Sequence, residues 1–354
     1  MKLLTVEAGQ EGQRLDRYLA RVLPAAPSSF LHKMLRKKNI TLNGREADGG
    51  ERLQAGDEVR LFLSEETLRT MTVAQDGAEE TKLPEGLDEA MRRIGPKMGR
   101  GAVLYEDDDI LIAVKPFGVL SQKAAREDVS MNEWLLAYLL REQPTEAARQ
   151  AFAKQLQYFR PSVCNRLDRN TGGILLCGKS LRGARCLTKM LRDRTLRKYY
   201  TTVLTGAFSG ADEIRSSYEK DAAGNKAVVR TDGQEAAVTR YRTLRSGAGR
   251  TLAEAELVTG KSHQLRAHFA MIGHPILGDA KYGGRKAMQG GRDRSVPAQY
   301  LFCSRVEFPK EGEDAALLPE ALRGAVIGAD VPAAFTEALR ADASPARRRT
   351  DRMR

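Results

Sequence analysis

Asn165-Arg166-Leu167-Asp168-Arg169-Asn170-Thr171-Gly172-Gly173 runs directly into Ile174-Leu175-Leu176-Cys177. The stretch reads as a charged loop, a Thr-Gly-Gly turn and a short apolar strand. Loops held at the ends of rigid elements are where reactive side chains tend to be presented. Here a carboxylate is bracketed by Arg166 and Arg169, and a nearby guanidinium favours its ionised form, fit to act as base or nucleophile. The plain alternative is a surface loop with ordinary ion pairs. The tetrapeptide alone decides nothing, because Arg14-Leu15-Asp16-Arg17 repeats it. There Leu15, Tyr18, Leu19, Val22 and Leu23 recur at helical spacing, which accounts for Leu15 and leaves Asp16 a solvated residue.

Around the strand at 174–177 the pattern predicts others. Val103 to Tyr105 and Ile110 to Val114 flank the acidic turn Asp107-Asp108-Asp109 as a hairpin. Tyr199 to Leu204, Ala227 to Arg230, Ala237 to Thr243 and Leu252 to Val258 follow. Helices are expected from Met131, behind a Ser130/Glu133 capping box, and over Leu181 to Arg192 and Ser262 to Ile272. The class is mixed α+β, with more strand than helix. Upstream, residues 11 to 63 form a compact unit: two helices, a strand Ile40 to Leu42, an Asn43-Gly44 turn and an alternating strand at Val59, Leu61 and Leu63. Its second helix, capped by Ser28 or Ser29, carries Lys33, Arg36, Lys37 and Lys38. The expected division is a small unit at 1–63, a linker at 64–100 with a short helix near Leu87 to Ile94, a main domain at 101–310 and an extension at 311–354. The last dozen residues, which include Arg347, Arg348, Arg349, Arg352 and Arg354, are expected to be disordered.

The chain has 354 residues, with 58 Lys and Arg against 46 Asp and Glu, a net charge of +12. That surplus suits a polyanionic partner, since each cation that meets a phosphate releases a counterion. No apolar run reaches the roughly 20 residues that span a bilayer, and the first ten residues lack a signal-peptide core. The expectation is a cytoplasmic protein. Cys164, Cys177, Cys186 and Cys303 form no CxxC pair, and the four histidines fit no zinc pattern, so no metal site is read.

Three more segments carry candidate chemistry. Thr259-Gly260-Lys261-Ser262-His263-Gln264-Leu265-Arg266-Ala267-His268 opens a helix at a glycine turn, and such a start with a lysine suits phosphate. His263 and Arg266 share one face and Leu265 and Phe269 another, so the helix is expected to bury one side and offer His263 and Arg266 to a ligand; His268 and His274 read as structural. Lys198-Tyr199-Tyr200 begins a strand ending at Gly206, where a tyrosine can stack on a base or simply join the core. Lys115-Pro116-Phe117-Gly118 by itself says only that a strand ends in a turn.

Taken in order, these four segments resemble the RluA-type RNA pseudouridine synthases. Asn165 to Gly173 is similar to that family's H-R-L-D-x-x-T-S-G signature, and Thr259 to Gly283 to its stretch running from G-R-x-H-Q-[IL]-R-x-H through G-D to Y-G. Asp107 to Leu120 and Lys198 to Gly206 resemble its K-P-x-G and K-x-Y segments. Residues 11 to 63 resemble the S-four-type RNA-binding module that often precedes this catalytic domain. Asn165 stands where the family often has His, and Gly172 where it often has Ser.

The resemblance implies a mainly antiparallel catalytic sheet, no cofactor, and isomerisation of uridine in RNA, with large-subunit ribosomal RNA favoured over transfer RNA. It implies Asp168 as the group facing the sugar, whether by attack or by taking a sugar proton. It gives Arg266 as the partner of Asp168, Tyr200 as packing on the uracil and helping to remove the proton from its carbon, and Arg166 as the side chain that fills the gap left by the extruded base. Lys115, Lys261 and His263 are expected to meet RNA, as are Lys33, Arg36, Lys37 and Lys38. A monomer without protein partners is expected. A non-catalytic RNA-binding factor, a glycosylase and a nuclease are the rival readings; a nuclease would need clustered carboxylates for Mg²⁺.

Overall fold

The computed structural model describes residues 1–7, 10–72, 83–220, 227–230, 237–287, 296 and 298–340. The N-terminal part has β1 (Lys2–Thr5), α1 (Leu15–Val22), α2 (Ser28–Arg36), β2 (Ile40–Leu42), β3 (Arg45–Glu46), β4 (Glu58–Leu61) and α3 (Glu65–Thr72). Its four strands form one sheet in the order β1-β4-β2-β3. Asn43 and Gly44 both have positive φ, the geometry of a tight hairpin turn. Leu15, Tyr18 and Leu19 of α1 and Leu31, Met34 and Leu35 of α2 fill a core of their own. Neither Ser28 nor Ser29 caps α2, whose N-cap is Pro27.

After α4 (Leu87–Ile94) come β5 (Val103–Glu106), β6 (Ile110–Lys115), α5 (Met131–Arg141), α6 (Glu146–Gln155), β7 (Ser162–Val163), β8 (Gly172–Gly178), α7 (Leu181–Asp193) and β9 (Arg197–Thr205). Then follow β10 (Ala211–Lys220), β11 (Ala227–Arg230), β12 (Ala237–Gly247), β13 (Arg250–Leu257), α8 (Gln264–Met271), α9 (Gly284–Ala287), β14 (Leu301–Glu307), α10 (Glu313–Ala316), β15 (Val326–Gly328) and α11 (Ala334–Glu337). The large sheet runs β11-β10-β12-β13-β9-β14-β8-β6-β5, with β15 beside β14 and β7 beside β8. Its pairings are antiparallel except β14 with β8. The expected mixed, mainly antiparallel class is what the chain adopts.

Every residue of β8 is buried, as an apolar run covered on both faces should be. The acidic turn is a hairpin because Asp107 Oδ1 accepts from the N–H groups of Asp109 and Ile110 at 2.8 and 2.7 Å. The capping box at Ser130 and Glu133 starts α5, and Ser180 caps α7 through Gly183 N–H at 3.0 Å.

Two expectations need correction. The stretch at 64–100 is not a plain linker: Leu68 of α3 packs into the N-terminal core, and Ala90 and Ile94 of α4 pack into the main one. Nor does the main fold end at 310. β15 pairs with β14, and Phe335 of α11 lies against Phe117 and Phe302 with ring centroids 6.5 and 6.4 Å apart. The Arg347 to Arg354 end lies outside the described residues.

Candidate active site

The loop between β7 and β8 carries Asp168 and is braced from several sides. The buried Asn165 side chain accepts from Leu176 N–H at 2.7 Å and donates to the Ile174 carbonyl at 3.3 Å. Ser121 Oγ accepts from Leu167 N–H and donates to the Leu167 carbonyl, at 3.0 and 2.9 Å. Gln299 donates to Thr171 Oγ1 at 2.7 Å. Gly173 has φ +110°, and a Cβ there would collide with the backbone of Cys303. At Gly172 a Cβ would lie 3.0 Å from both Phe117 and Phe302, so a larger residue there would press on this aromatic pair.

Lys115 is fully buried. Its ammonium donates to the carbonyls of Val119, Pro116 and Arg169 at 2.7, 3.1 and 3.1 Å. Burial lowers its pKa to about 7, against the opposing pull of Asp168. The expectation that Lys115 meets a phosphate therefore fails on geometry. All its donors point into protein, and it ties the KPFG turn to the Asp168 loop.

The helix expected over Ser262 to Ile272 begins at Gln264. His263 occupies the N-cap with φ 55°, and Ser262 does not cap. Gln264 anchors this start: its amide donates to the Val238 carbonyl and Thr239 Oγ1 at 2.9 and 3.0 Å, and its oxygen accepts from Thr259 Oγ1 at 2.7 Å. From there α8 places Arg266 beneath Asp168, with Nη1 donating to Asp168 Oδ2 at 3.0 Å. The guanidinium is not held by Asp168 alone. Its Nε and Nη2 make a two-point contact with Asp279, at 2.7 and 2.9 Å.

Burial works against the Arg266 charge, but Asp279 and Asp168 outweigh it and hold its pKa above the ordinary value. Asp279 is itself buried, and its pKa is lowered because Arg266 and the N–H groups of Tyr282 and Lys281 overcome the cost of burial. Arg266 is thus a buried bridge between two carboxylates, where the sequence placed it on a face open to a ligand. Asp279 was missed as a site residue. Its signal was a carboxylate directly after the apolar Ile276-Leu277-Gly278 turn, 13 residues from Arg266.

Asp168, Arg266, Tyr200, His263, Lys261 and Arg166 all line one small cleft of about 60 Å³. Leu257, Leu265 and Leu301 supply apolar wall. His263 Nε2 lies 3.8 Å from Asp168 Oδ2, and its Nδ1 is 3.1 Å from the Tyr282 hydroxyl. Burial lowers the His263 pKa, with Asp168 opposing. Tyr200 is buried, and burial followed by contact with Cys303 pushes its phenol pKa well up. Arg166 is exposed at the rim. Lys33, Arg36, Lys37 and Lys38 are not part of this cleft; they lie exposed on α2 and the residues just after it. Among the described residues no group of three or more His, Cys, Asp or Glu is placed to hold a metal ion.

His268 and His274 serve the frame. His268 is fully buried, bonded to Ser216 Oγ at 2.8 Å and Thr239 Oγ1 at 2.9 Å, and burial lowers its pKa to about 4. Because the folded value lies below the unfolded value of about 6.5, this residue's stability contribution is present above pH 6.5 and lost as pH falls toward 4. The full shift corresponds to about 3 kcal/mol. Denaturant titrations from pH 7 to 4 should show that loss, and His268→Gln should flatten it.

A mainly antiparallel sheet holds a carboxylate, a doubly anchored arginine and a buried tyrosine in one cleft, in a strongly basic chain. That combination suits the handling of an anionic substrate. Residues 109–271 match the model of the RNA pseudouridylate synthase family. Curated relatives similar to this chain bear the name ribosomal large subunit pseudouridine synthase C. The protein from Rickettsia conorii is 28% identical over 86% of this chain and 94% of its own. That from Rickettsia bellii is 29% identical over 86% and 94%, and that from Vibrio cholerae 27% over 87% and 89%. Among solved structures, Human RNA Pseudouridylate Synthase Domain Containing 4 covers 72% of this chain and 95% of its own at 21% identity, with a TM-score of 0.48.

Proposed function

We propose that this RNA pseudouridine synthase acts on uridines of large-subunit ribosomal RNA, with Asp168 meeting the sugar. The observation that carries the assignment of Asp168 is the Asp279–Arg266–Asp168 chain of contacts, which fixes one carboxylate at the mouth of the cleft. The isomerisation breaks the N1–C1′ bond of uridine and makes a C5–C1′ bond. A proton leaves C5, one is gained at N1, and no electrons are exchanged. Cleavage builds positive charge on the sugar, which a facing carboxylate offsets.

Tyr200 and the leucine wall suit the flat face of uracil. Burial keeps the Tyr200 hydroxyl protonated, which favours packing on the ring over action as a phenolate base. Arg166, with no ion-pair partner among the described residues, is free to enter the RNA stack; Lys261 and His263 line the approach. The names of the relatives favour ribosomal RNA. One chain supplies every proposed catalytic group, so a monomer suffices. Among the described residues no helix is long and apolar enough to cross a membrane, and the cytoplasm is the proposed site of action.

The test is a map of pseudouridines in ribosomal RNA from cells lacking the protein. One or a few positions should revert to uridine and be restored by the wild-type gene. An unchanged ribosomal map with losses in transfer RNA would overturn the substrate assignment.

Residues 1–72 are proposed as an RNA-binding unit working through α2. Lys33, Arg36 and Lys37 are exposed and without a carboxylate partner among the described residues. Lys38 pairs with Glu46 at 2.5 Å and has less to offer. Replacing Lys33, Arg36 and Lys37 with Gln should make the salt dependence of RNA binding shallower by about two units of slope. The rate at saturating RNA should change little. An unchanged slope in a salt titration would show that α2 does not contact this RNA.

A further inference from the structure

A second opening, larger than the Asp168 cleft, lies elsewhere on the molecule. It is a cleft of about 1060 Å³ between the N-terminal part and α7. α7 presents Arg182, Arg185, Lys189 and Arg192 to it, and Arg52 faces them from the other side. The α7 residues fall at intervals of three, four and three, one stripe of a helix. Three of these cations are spoken for. Arg182 pairs with Asp109, Lys189 with Asp193 and Asp314, and Arg192 with Asp193.

Arg52 and Arg185 differ. Arg52 Nη1 donates to the Gly12 carbonyl at 2.9 Å, and Arg185 Nη1 donates to the same oxygen. Neither has a carboxylate partner among the described residues. Two guanidiniums from different parts of the chain therefore converge on a single neutral acceptor, each with most of its donors unspent. We propose that this cleft binds a backbone phosphate of the RNA substrate, clamped between Arg52 and Arg185. The proposal rests on the reading that the substrate is RNA.

The chemistry is specific. A guanidinium fork matches the oxygens of a phosphodiester, which accept two N–H bonds at once. An anion also removes the mutual repulsion of the two arginines. Burial first, and the neighbouring Arg52 charge second, lower the Arg185 pKa. The site is separate from the catalytic one. β8 lies between the Asp168 loop and the start of α7, and its length is roughly 20 Å at about 3.3 Å per residue. A phosphate held here belongs to RNA well beyond the target uridine, and its capture fixes the N-terminal part against the catalytic domain.

The test uses full-length protein, Arg52→Gln, Arg185→Gln and the double variant, with an unmodified large-subunit ribosomal RNA transcript. Affinity is measured at several salt concentrations, and pseudouridine formation in parallel. The double variant should bind about tenfold more weakly near 0.1 M salt, with a slope shallower by about one unit. Its rate at saturating RNA should stay within about twofold of the parent. Arg185→Lys, which keeps the charge, should recover most of the slope. A double variant with the parent's affinity and slope overturns the clamp. So does a weakening that is the same at every salt concentration, since that marks a contact between the two parts of the protein and not a phosphate. Failure of the parent to form pseudouridine on the transcript would count against the substrate reading alone, because the binding arm needs no turnover.

Discussion

Asp168→Asn is expected to abolish turnover while leaving the fold and RNA affinity near those of the parent. The substitution keeps the shape of the side chain and still lets Oδ accept from Arg266. It removes the charge that offsets the cationic sugar. Loss of such electrostatic stabilisation at a reacting centre costs at least about two to three orders of magnitude in rate. Single-turnover assays on saturating RNA measure this directly, with thermal unfolding as the check on fold. Asp16→Asn is the matched control: the same tetrapeptide, but an exposed arginine, Arg14, as partner at 2.9 Å. It should be nearly silent. An Asp168→Asn variant that still turns over near the parent rate would remove Asp168 from the chemistry.

The second large effect is at Arg266, and the structure changes which substitution tests it. Arg266→Leu would leave Asp279 buried without its cation, at a cost of about 3–5 kcal/mol, so loss of activity there would confound folding with catalysis. Arg266→Lys keeps a charge near Asp279 but cannot hold two carboxylates in one plane. It is expected to fold, to bind RNA, and to lose at least about a hundredfold in rate. Asp279→Asn should act the same way at one remove, lowering the rate with little change in the RNA concentration for half-maximal activity. A folded Arg266→Lys enzyme with full turnover would mean that Arg266 only knits the fold.

How far the sequence carried is clearest at particular residues. β8 was legible because Ile174 to Cys177 is an uninterrupted apolar run behind a glycine pair. The hairpin at 107–109 and the capping box at Ser130 were legible because their signals are local. β10 was not seen: of its residues up to Glu219, only Ile214 and Ser216 are buried, and the charges of Asp212, Glu213 and Arg215 leave no apolar alternation to read. β14 was missed for a different reason. Its partners β8 and β9 lie more than 90 residues upstream, so no turn announces it. At the site, Asp168 and Arg266 stood out through their motifs. The burial of Lys115 and the grip of Asp279 on Arg266 did not, because both depend on contacts across the fold.

β14 has one more consequence. β8 and β9 are successive strands in the chain but not neighbours in the sheet, because β14 lies between them. The loop bearing Asp168 leads into β8, and Tyr200 sits on β9 beside Cys303 of β14. As the chain leaves the ribosome from its N-terminus, β8 and β9 emerge long before residues 301–307. Their facing edges must wait, unpaired, for the last third of the protein. Such distant pairing slows folding and exposes strand edges to wrong partners. The join between the strand behind Asp168 and the strand bearing Tyr200 is therefore expected to close late, once β14 is in place.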